Sequence, residues 1–179
     1  SYHLGLEWKL VDLHSLLKDR YPGEGIVSGS IRLDGRGVSP ETASVRLRLG
    51  LNGTGITAGP SVSPIDLHVE SEAGLDTGQA TIENLSAKIG PARIDGSGSY
   101  GLSMKKMDLK LSVNASNIAE TLAPLGAKQV RGGSVDIRAD VTGTVEKPSF
   151  QLRANGAGIR LDKADIGDFA IVAALDENG

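Results

Sequence analysis

Hydrophobic and polar residues alternate along most of the chain. Alternation at this period places every second side chain on the same face of a β-strand. Antiparallel sheets commonly carry such strands, because one face is covered and the other is solvated. Clusters of glycine, proline, asparagine and aspartate separate the runs and predict turns. The pattern therefore predicts an all-β chain of about eleven antiparallel strands. The clearest run is Met107, Leu109, Leu111 and Val113, separated by Asp108, Lys110 and Ser112.

The apolar positions of these runs predict one continuous aliphatic surface. Since every strand contributes its apolar side chains to the same face, we expect them to line a single ligand-contacting surface rather than a localised site. The residues assigned to this lining are Leu4, Leu6, Trp8, Leu10, Ile31, Leu33, Val45, Leu47, Leu49, Ile65, Leu67, Val69, Ile82, Ile89, Met107, Leu109, Leu111, Val113, Val135, Ile137, Phe150, Leu152, Ile159, Leu161, Phe169 and Ile171.

Two stretches break the alternation and predict short amphipathic helices. Within residues 117–123, Asn117 and Glu120 have the spacing of a capping box, with asparagine in place of serine or threonine. Pro124 must bend or end this helix. Residues 12–18 have the same character, so each helix is expected to follow a strand.

An internal repeat relates approximately residues 4–100 to residues 109–179. Each half contains a strand, a short helix and further strands, and both carry the string Asn-Gly-x-Gly-Ile, at residues 52–56 and 155–159. Repetition of this length predicts an elongated, repetitive β architecture. The sequence has no initiator methionine and stops just after a strand-like run, so we expect residues 1–179 to form one segment of a larger protein.

The pattern leaves open how the aliphatic surface is covered. A second sheet would make a sandwich, but aromatic residues are only 3% of the chain, which is low for filling a gap of about 10 Å. One long sheet curled into a U-shaped, taco-like hydrophobic groove would need an apolar ligand. A passive solenoid or stalk would instead close the surface into a core.

Composition excludes several other classes of function. Lys and Arg total 19 against 22 Asp and Glu, a net charge of −3, which argues against a nucleic-acid surface. The chain has no cysteine, so it has no disulfide and no thiolate metal site. Its paired carboxylates lack the aromatic platforms of a sugar-cleaving site, and no serine lies on a recognisable nucleophile elbow. We therefore expect no enzyme and no cofactor.

Three motifs have weaker alternatives that we do not favour. Residues 96–101 match G-x-G-x-x-G, but the following residues predict a strand rather than a helix, so a hairpin turn is expected instead of a dinucleotide site. The three aspartates of residues 162–168 lack the glycine and final glutamate of a calcium loop. The histidines have no metal-ligand spacing; they are His3, His14 and His68.

The glycine and proline punctuation of the second half resembles that of the TamB family, an AsmA-like group of bridge-like lipid-transfer proteins. The resemblance lies in residues 132–137 (Gly-Gly-Ser-Val-Asp-Ile) and 143–152 (Gly-Thr-Val-Glu-Lys-Pro-Ser-Phe-Gln-Leu). The preceding helix of residues 117–125 and the string at 155–159 fit as well. The likeness is good over residues 105–175 and looser over the first hundred.

This resemblance implies a fold, a location and partners. TamB-like proteins are anchored in the inner membrane by an N-terminal helix, and they cross the periplasm as a β-groove that carries phospholipid acyl chains toward the outer membrane. The chain would then be an internal segment without that anchor. An alternative is a chaperone-like scaffold that inserts outer-membrane β-barrels and autotransporters by β-augmentation. Its implied partners are an outer-membrane TamA-like protein and nascent outer-membrane β-proteins.

Overall fold

The computed structural model is all-β and consists of one open antiparallel sheet with two short helices. It describes residues 1–17, 24–39, 42–57, 64–123, 127 and 129–176. The strands are β1 (Tyr2–Asp12), β2 (Ile26–Arg36), β3 (Ser44–Ile56), β4 (Ile65–Asp76), β5 (Gln79–Ile89), β6 (Ala92–Gly101), β7 (Lys106–Ala115), β8 (Val130–Thr144), β9 (Pro148–Leu161) and β10 (Ala164–Leu175).

Strand order in the sheet follows the order of the chain. Each strand pairs with the next, from β1 to β10, so the sheet is a simple meander of ten strands. Within the described residues β1 and β10 form its two edges and do not pair with each other. A single sheet corrects the alternative of a two-sheet sandwich, and the described residues form ten strands where about eleven were expected.

Both predicted helices are present, and each follows a strand. Helix α1 (Leu13–Leu17) follows β1, and α2 (Ile118–Leu122) follows β7. Asn117 has an extended backbone, and its side chain accepts a hydrogen bond from the Glu120 backbone N–H, as the capping pattern predicted. Pro124 lies outside the described residues, as do residues 18–23 beyond α1.

Successive connections lie at alternate ends of the sheet, and short connections occur at both ends. Both helices and the connection between β3 and β4 lie at one end. Three short connections lie at the other end: Thr77–Gly78 between β4 and β5, residues 102–105 between β6 and β7, and residues 145–147 between β8 and β9. The G-x-G-x-x-G stretch is not itself a turn, which corrects the sequence expectation, because residues 96–101 continue strand β6 to its end.

A local structure recurs in the two Asn-Gly-x-Gly-Ile strings. Gly55 and Gly158 have φ of 64° and 59°, in the left-handed region that favours glycine. The Gly55 backbone N–H donates to Asp66 Oδ1 at 3.2 Å, and the Gly158 N–H donates to Asp168 Oδ1 at 2.8 Å. The register of each strand shifts at this glycine. The two halves of the chain therefore share a bulge and its acidic acceptor.

The sheet has no enclosed core in its described residues. The buried hydrophobic side chains are small or lie near strand ends, and no large side chain is fully buried. The accessible surface is 11708 Å², whereas a compact monomer of 18.6 kDa exposes about 8200 Å². A single layer explains this excess, because no second sheet of the described residues covers either face. The buried hydrophobic residues are Val27, Ala43, Ala87, Ala92, Ala115, Ala154 and Ile159.

Candidate functional site: one face of the sheet

The register of the strands aligns their apolar residues in rows that cross the whole sheet. Residues directly opposite each other in antiparallel strands lie on the same face. One row runs unbroken from β1 to β10 with Leu111 near its middle. This row consists of Leu6, Ile31, Leu49, Ser71, Leu85, Gly96, Leu111, Ala139, Leu152 and Ala173.

Two more rows run beside the first and also reach from edge to edge. The row through Leu109 contains Leu4, Leu33, Leu47, Ala73, Ile82, Gly98, Leu109, Val141, Phe150 and Leu175. The row through Val113 contains Trp8, Gly29, Leu51, Val69, Ala87, Ile94, Val113, Ile137, Ala154 and Ile171.

Flanking rows through Ala115 and Met107 complete this surface, which we call the apolar face. The row through Ala115 contains Val11, Val27, Gly53, Leu67, Ile89, Ala92, Ala115, Val135, Gly156 and Phe169. The row through Met107 contains Tyr2, Gly35, Val45, Leu75, Ala80, Tyr100, Met107, Gly143 and Pro148. No position in any of these rows carries a charged side chain.

Large side chains of the apolar face remain accessible to solvent. Leu111 is 44% exposed in the middle of the sheet, and Leu6 and Ile171 are 59% and 52% exposed at its two edges. The rows extend about 43 Å across ten strands. Accessible apolar surface on this scale marks a binding surface or an aggregation hazard.

Four of the predicted lining residues lie outside these rows. Leu10 is in a register shift between Trp8 and Val11, has φ of 53° and is 76% exposed, so Val11 takes the row position instead. The other three extend their strands beyond the rows. Ile65 continues the alternation of β4 past Leu67, and Ile159 and Leu161 follow the Gly158 bulge of β9.

Several residues of the apolar face were not assigned to the lining from the sequence pattern. Leu85 lies in the row of Leu111, but Glu83 and Asn84 separate it from Ile82 and break the alternation. The register shift at this point restores the facing of Leu85, which no local pattern revealed. Ile94 was missed because it stands alone between charged residues, before a glycine-rich stretch. Leu51 and Val141 continue clear alternating runs, so that signal was present in the sequence.

Aromatic rings on the outermost strands cover glycines of their neighbours. A Cβ atom at Gly29 would lie 2.8 Å from Cε2 of Trp8, and one at Gly35 would lie 2.5 Å from the Tyr2 ring. At the other edge, a Cβ atom at Gly156 would overlap the Phe169 ring. Rings packed on glycine backbone reduce the exposure of edge strands and fix their register. The few aromatic residues of these two strands are thus used to build the edges.

The opposite face carries the charged side chains. Glu72 Oε1 lies 3.1 Å from Arg48 Nε and 3.3 Å from Arg46 Nε. Arg93 donates two hydrogen bonds to Asp95, at 2.7 and 3.0 Å, and they hold the pKa of Asp95 below its ordinary value. These pairs are exposed, so each adds little to stability. The charged face is therefore a solvated surface.

A hollow of about 530 Å³ lies on the charged face and is one competing site. Its lining includes Glu7, Arg32, Arg48, Glu70 and Glu72, with backbone from the neighbouring strands. The mixture of signs and the ion pairing of Arg48 leave no consistent preference for an anion or a cation. This hollow supports no particular chemistry.

The weaker motifs have structural roles in the fold. Asp168, one of the spaced aspartates, accepts the bulge N–H of Gly158 described above. His3 Nδ1 lies 2.6 Å from Asp34 Oδ1, and this contact lowers the pKa of Asp34. His68 Nδ1 lies 2.5 Å from Asn52 Oδ1. Across the described residues, no group of three histidine, aspartate or glutamate side chains could hold a metal ion.

Comparison with known proteins adds no assignment. In the described part of the chain, no helix has the length and apolar character needed to cross a membrane. No family model, no curated protein and no solved structure matches the chain.

Proposed function

We propose that the chain is a periplasmic segment of a TamB-like protein, in which the apolar face carries phospholipid acyl chains between the inner and outer membranes. The observation that supports this function is the set of uncharged rows, four of which cross all ten strands, with large side chains such as Leu6, Leu111 and Ile171 exposed. In the proposed working state the sheet curls around its cargo into a groove. Transport of this kind would support biogenesis of the outer membrane.

The energetics of acyl chains favour a continuous surface over a closed pocket. Each methylene group removed from water contributes about 0.8 kcal/mol, so a chain of sixteen carbons amounts to roughly 12 kcal/mol. A carrier must therefore keep the whole tail covered during transfer. The rows extend about 43 Å, more than the about 30 Å hydrocarbon thickness of a bilayer, so one tail fits at many positions.

The absence of charge along the rows favours movement over tight binding. Ser71 is the one hydrogen-bonding side chain in the row through Leu111, and it lies between Leu49 and Leu85. A tail lying on this row meets an aliphatic side chain at eight of the ten strands. Its binding free energy thus changes little from one position to the next, which permits sliding.

Binding of a fluorescent fatty acid to the detergent-free chain tests this function. Leu111→Asp and Leu152→Asp place a charge within one row on β7 and β9. Ser112→Asp and Gln151→Asp are matched controls, because each adds the same charge one residue away on the opposite face. We expect the row variants to weaken binding at least tenfold, since a buried carboxylate beside a tail is costly. The controls should bind as the parent chain does.

Native mass spectrometry and transport give independent readings of the same variants. Phospholipid should accompany the parent chain through purification and should be lost from Leu111→Asp. In the full-length protein, Leu111→Asp should also block phospholipid transport. Circular dichroism must show that the variant keeps its strands. Normal transport and equal fatty-acid binding by folded row variants would refute the proposed function.

A second candidate function is a scaffold that pairs with strands of outer-membrane proteins, and the outer edge of β10 favours it. From Phe169 to Leu175 this strand has no charge, proline or glycine. Val172 points to the charged face yet is 75% exposed, whereas β1 carries Glu7 and a bulge. Charges and bulges protect sheet edges from pairing, so β10 is the more receptive edge.

Capture of a synthetic β-hairpin from an outer-membrane protein distinguishes the scaffold from the lipid carrier. Val172→Lys should reduce hairpin capture and leave fatty-acid binding unchanged, because it charges the edge but not the apolar face. Gly5→Lys is the control on the other edge, where a side chain has open space. Hairpin binding that ignores Val172→Lys would count against the scaffold.

A further inference from the structure

The three short connections at one end of the sheet form a continuous rim. We define the rim as Thr77–Gly78, residues 102–105 and residues 145–147. The Leu102 backbone N–H donates to the Gly78 carbonyl oxygen at 2.8 Å, and the Val145 N–H donates to the Lys105 carbonyl oxygen at 3.3 Å. Neighbouring connections are therefore held side by side, so their tips act together as one surface.

The tips of the rim present apolar side chains to solvent. Met104 is 75% exposed, Val145 is 59% exposed and Leu102 is 40% exposed. These residues lie beyond the strand ends, where no neighbouring strand of the sheet can cover them. Turns of soluble proteins usually carry polar residues, glycine or proline. Neither the packing of the sheet nor the apolar face accounts for the exposure of these apolar side chains at adjacent turns.

Basic side chains surround these tips. Lys105 and Lys147 belong to the connections and Lys106 begins β7, whereas Glu146 is the single carboxylate within the connections. Glu146 Oε1 lies 3.8 Å from Lys105 Nζ. Lys106 and Lys147 form no ion pair with any described residue. Asp76, the last residue of β4, borders the connections as Lys106 does. Three lysines therefore stand against two carboxylates, and the rim carries a net charge of +1 in a chain whose net charge is −3.

A hollow beside Met104 adds hydrogen-bond donors to this surface. It has a volume of about 340 Å³ and lies between the first two connections of the rim. Hydroxyl, amide and ammonium donors come from Thr77, Ser103, Gln79 and Lys106, and Asp108 also lines it. Donors next to apolar side chains suit a phospholipid headgroup, whose phosphate and ester oxygens accept hydrogen bonds above an acyl region.

We propose that the rim binds a membrane surface rich in anionic lipid. Met104 and Val145 enter the boundary between headgroups and acyl chains, and Lys106 and Lys147 contact the phosphate groups. Positive charge matched to an anionic surface favours this partner, because each lysine near such a surface strengthens binding about fivefold. The inference is independent of the proposed function, which concerns single acyl chains on the apolar face.

Co-sedimentation with lipid vesicles tests the proposal. The vesicles are phosphatidylcholine alone or phosphatidylcholine mixed with phosphatidylglycerol, at low and high salt. We expect the parent chain to sediment with the mixed vesicles and to release them as salt screens the charges. Lys106→Ala combined with Lys147→Ala should weaken binding about 25-fold. Met104→Ser combined with Val145→Ser should weaken it about tenfold or more.

Matched controls come from the opposite end of the sheet. Lys163→Ala and Ile166→Ser remove the same kinds of side chain near the turn between β9 and β10, where Ile166 is 53% exposed. Both should bind vesicles as the parent chain does. Equal binding to the two kinds of vesicle would overturn the anionic surface as the partner, and unchanged binding by folded rim variants would overturn the rim as its site.

Fatty-acid binding separates this inference from the proposed function. Rim variants should bind a monomeric fatty acid normally, because they leave the rows of the apolar face intact. Leu111→Asp should lose the fatty acid but still sediment with anionic vesicles. Loss of only one activity therefore identifies which of the two proposals has failed.

Discussion

Alanine substitutions at two glycines of strand β6 should have opposite effects on stability. Gly96 and Gly98 lie two residues apart on the apolar face, and neither has a positive φ. A Cβ atom at Gly98 would lie 2.8 Å from Leu109 Cα and would overlap the Asp108 carbonyl oxygen. Backbone cannot move aside as a side chain can, so Gly98→Ala must push β6 away from β7.

The environment of Gly96 is much less restrictive. A Cβ atom there would lie 3.4 Å from Leu85 Cδ2, the mobile end of a side chain, and 3.6 Å from the Lys110 carbonyl oxygen. Gly96→Ala should therefore fit and should reduce the entropy of the unfolded chain. This gain is worth about 0.4–1 kcal/mol.

The magnitudes predict a clear difference between the two variants. Overpacking costs about 1–3 kcal/mol, so Gly98→Ala should lower the free energy of unfolding by about 1–2 kcal/mol after the entropy gain. The midpoint of thermal unfolding should then fall by about 3–6 °C for Gly98→Ala and rise by about 1–3 °C for Gly96→Ala.

Thermal and urea denaturation, followed by far-ultraviolet circular dichroism, measure this difference. Each substitution adds one methyl group to the same strand and face, so changes in composition or propensity cancel between them. A shift of both midpoints in the same direction, or a more stable Gly98→Ala variant, would refute the argument from the spacing of β6 and β7.

Three further predictions follow from local geometry. Gly55→Ala and Gly158→Ala should each lower the free energy of unfolding by about 1 kcal/mol. Both positions have open space for a methyl group, so the left-handed backbone is the only cost. Unequal urea midpoints of the two variants would argue against an equivalent bulge. The lowered pKa of Asp95, caused by its hydrogen bonds with Arg93, adds stability that is present above its ordinary value of 3.8 and is lost as pH falls through the lowered value. Urea midpoints of Asp95→Asn should therefore fall less steeply below about pH 4 than those of the parent chain. Asn117→Ala should speed amide exchange in α2 by removing a cap worth about 1 kcal/mol, whereas Asn117→Asp should keep the protection.

Much of the apolar face was predictable because a strand's facing is a local property. Side chains alternate at every residue, so the run around Leu111 revealed its own facing without knowledge of its neighbours. The same holds for Leu152 on β9. The Asn117 cap was equally local, because its acceptor and donor lie three residues apart.

Residues near bulges could not be placed from the sequence. A bulge adds one residue to a strand and reverses the facing of all that follow, and its position depends on the partner strand. This is why Leu10 was assigned to the lining in place of Val11 and why Leu85 was overlooked. The roles of Asp66 and Asp168 depend on glycines in neighbouring strands, so no local pattern revealed them.

Period-two alternation was enough to specify amphipathic antiparallel strands, because this pattern requires no long-range contact. The pairing of all ten strands in one open meander, and the alignment of their rows from β1 to β10, became visible only in the folded chain. Row alignment depends on the register of every successive pair, and register is fixed by turns and bulges acting between strands. The rim has the same origin, because the turns at Gly78, Lys105 and Val145 become neighbours only when their strands pair.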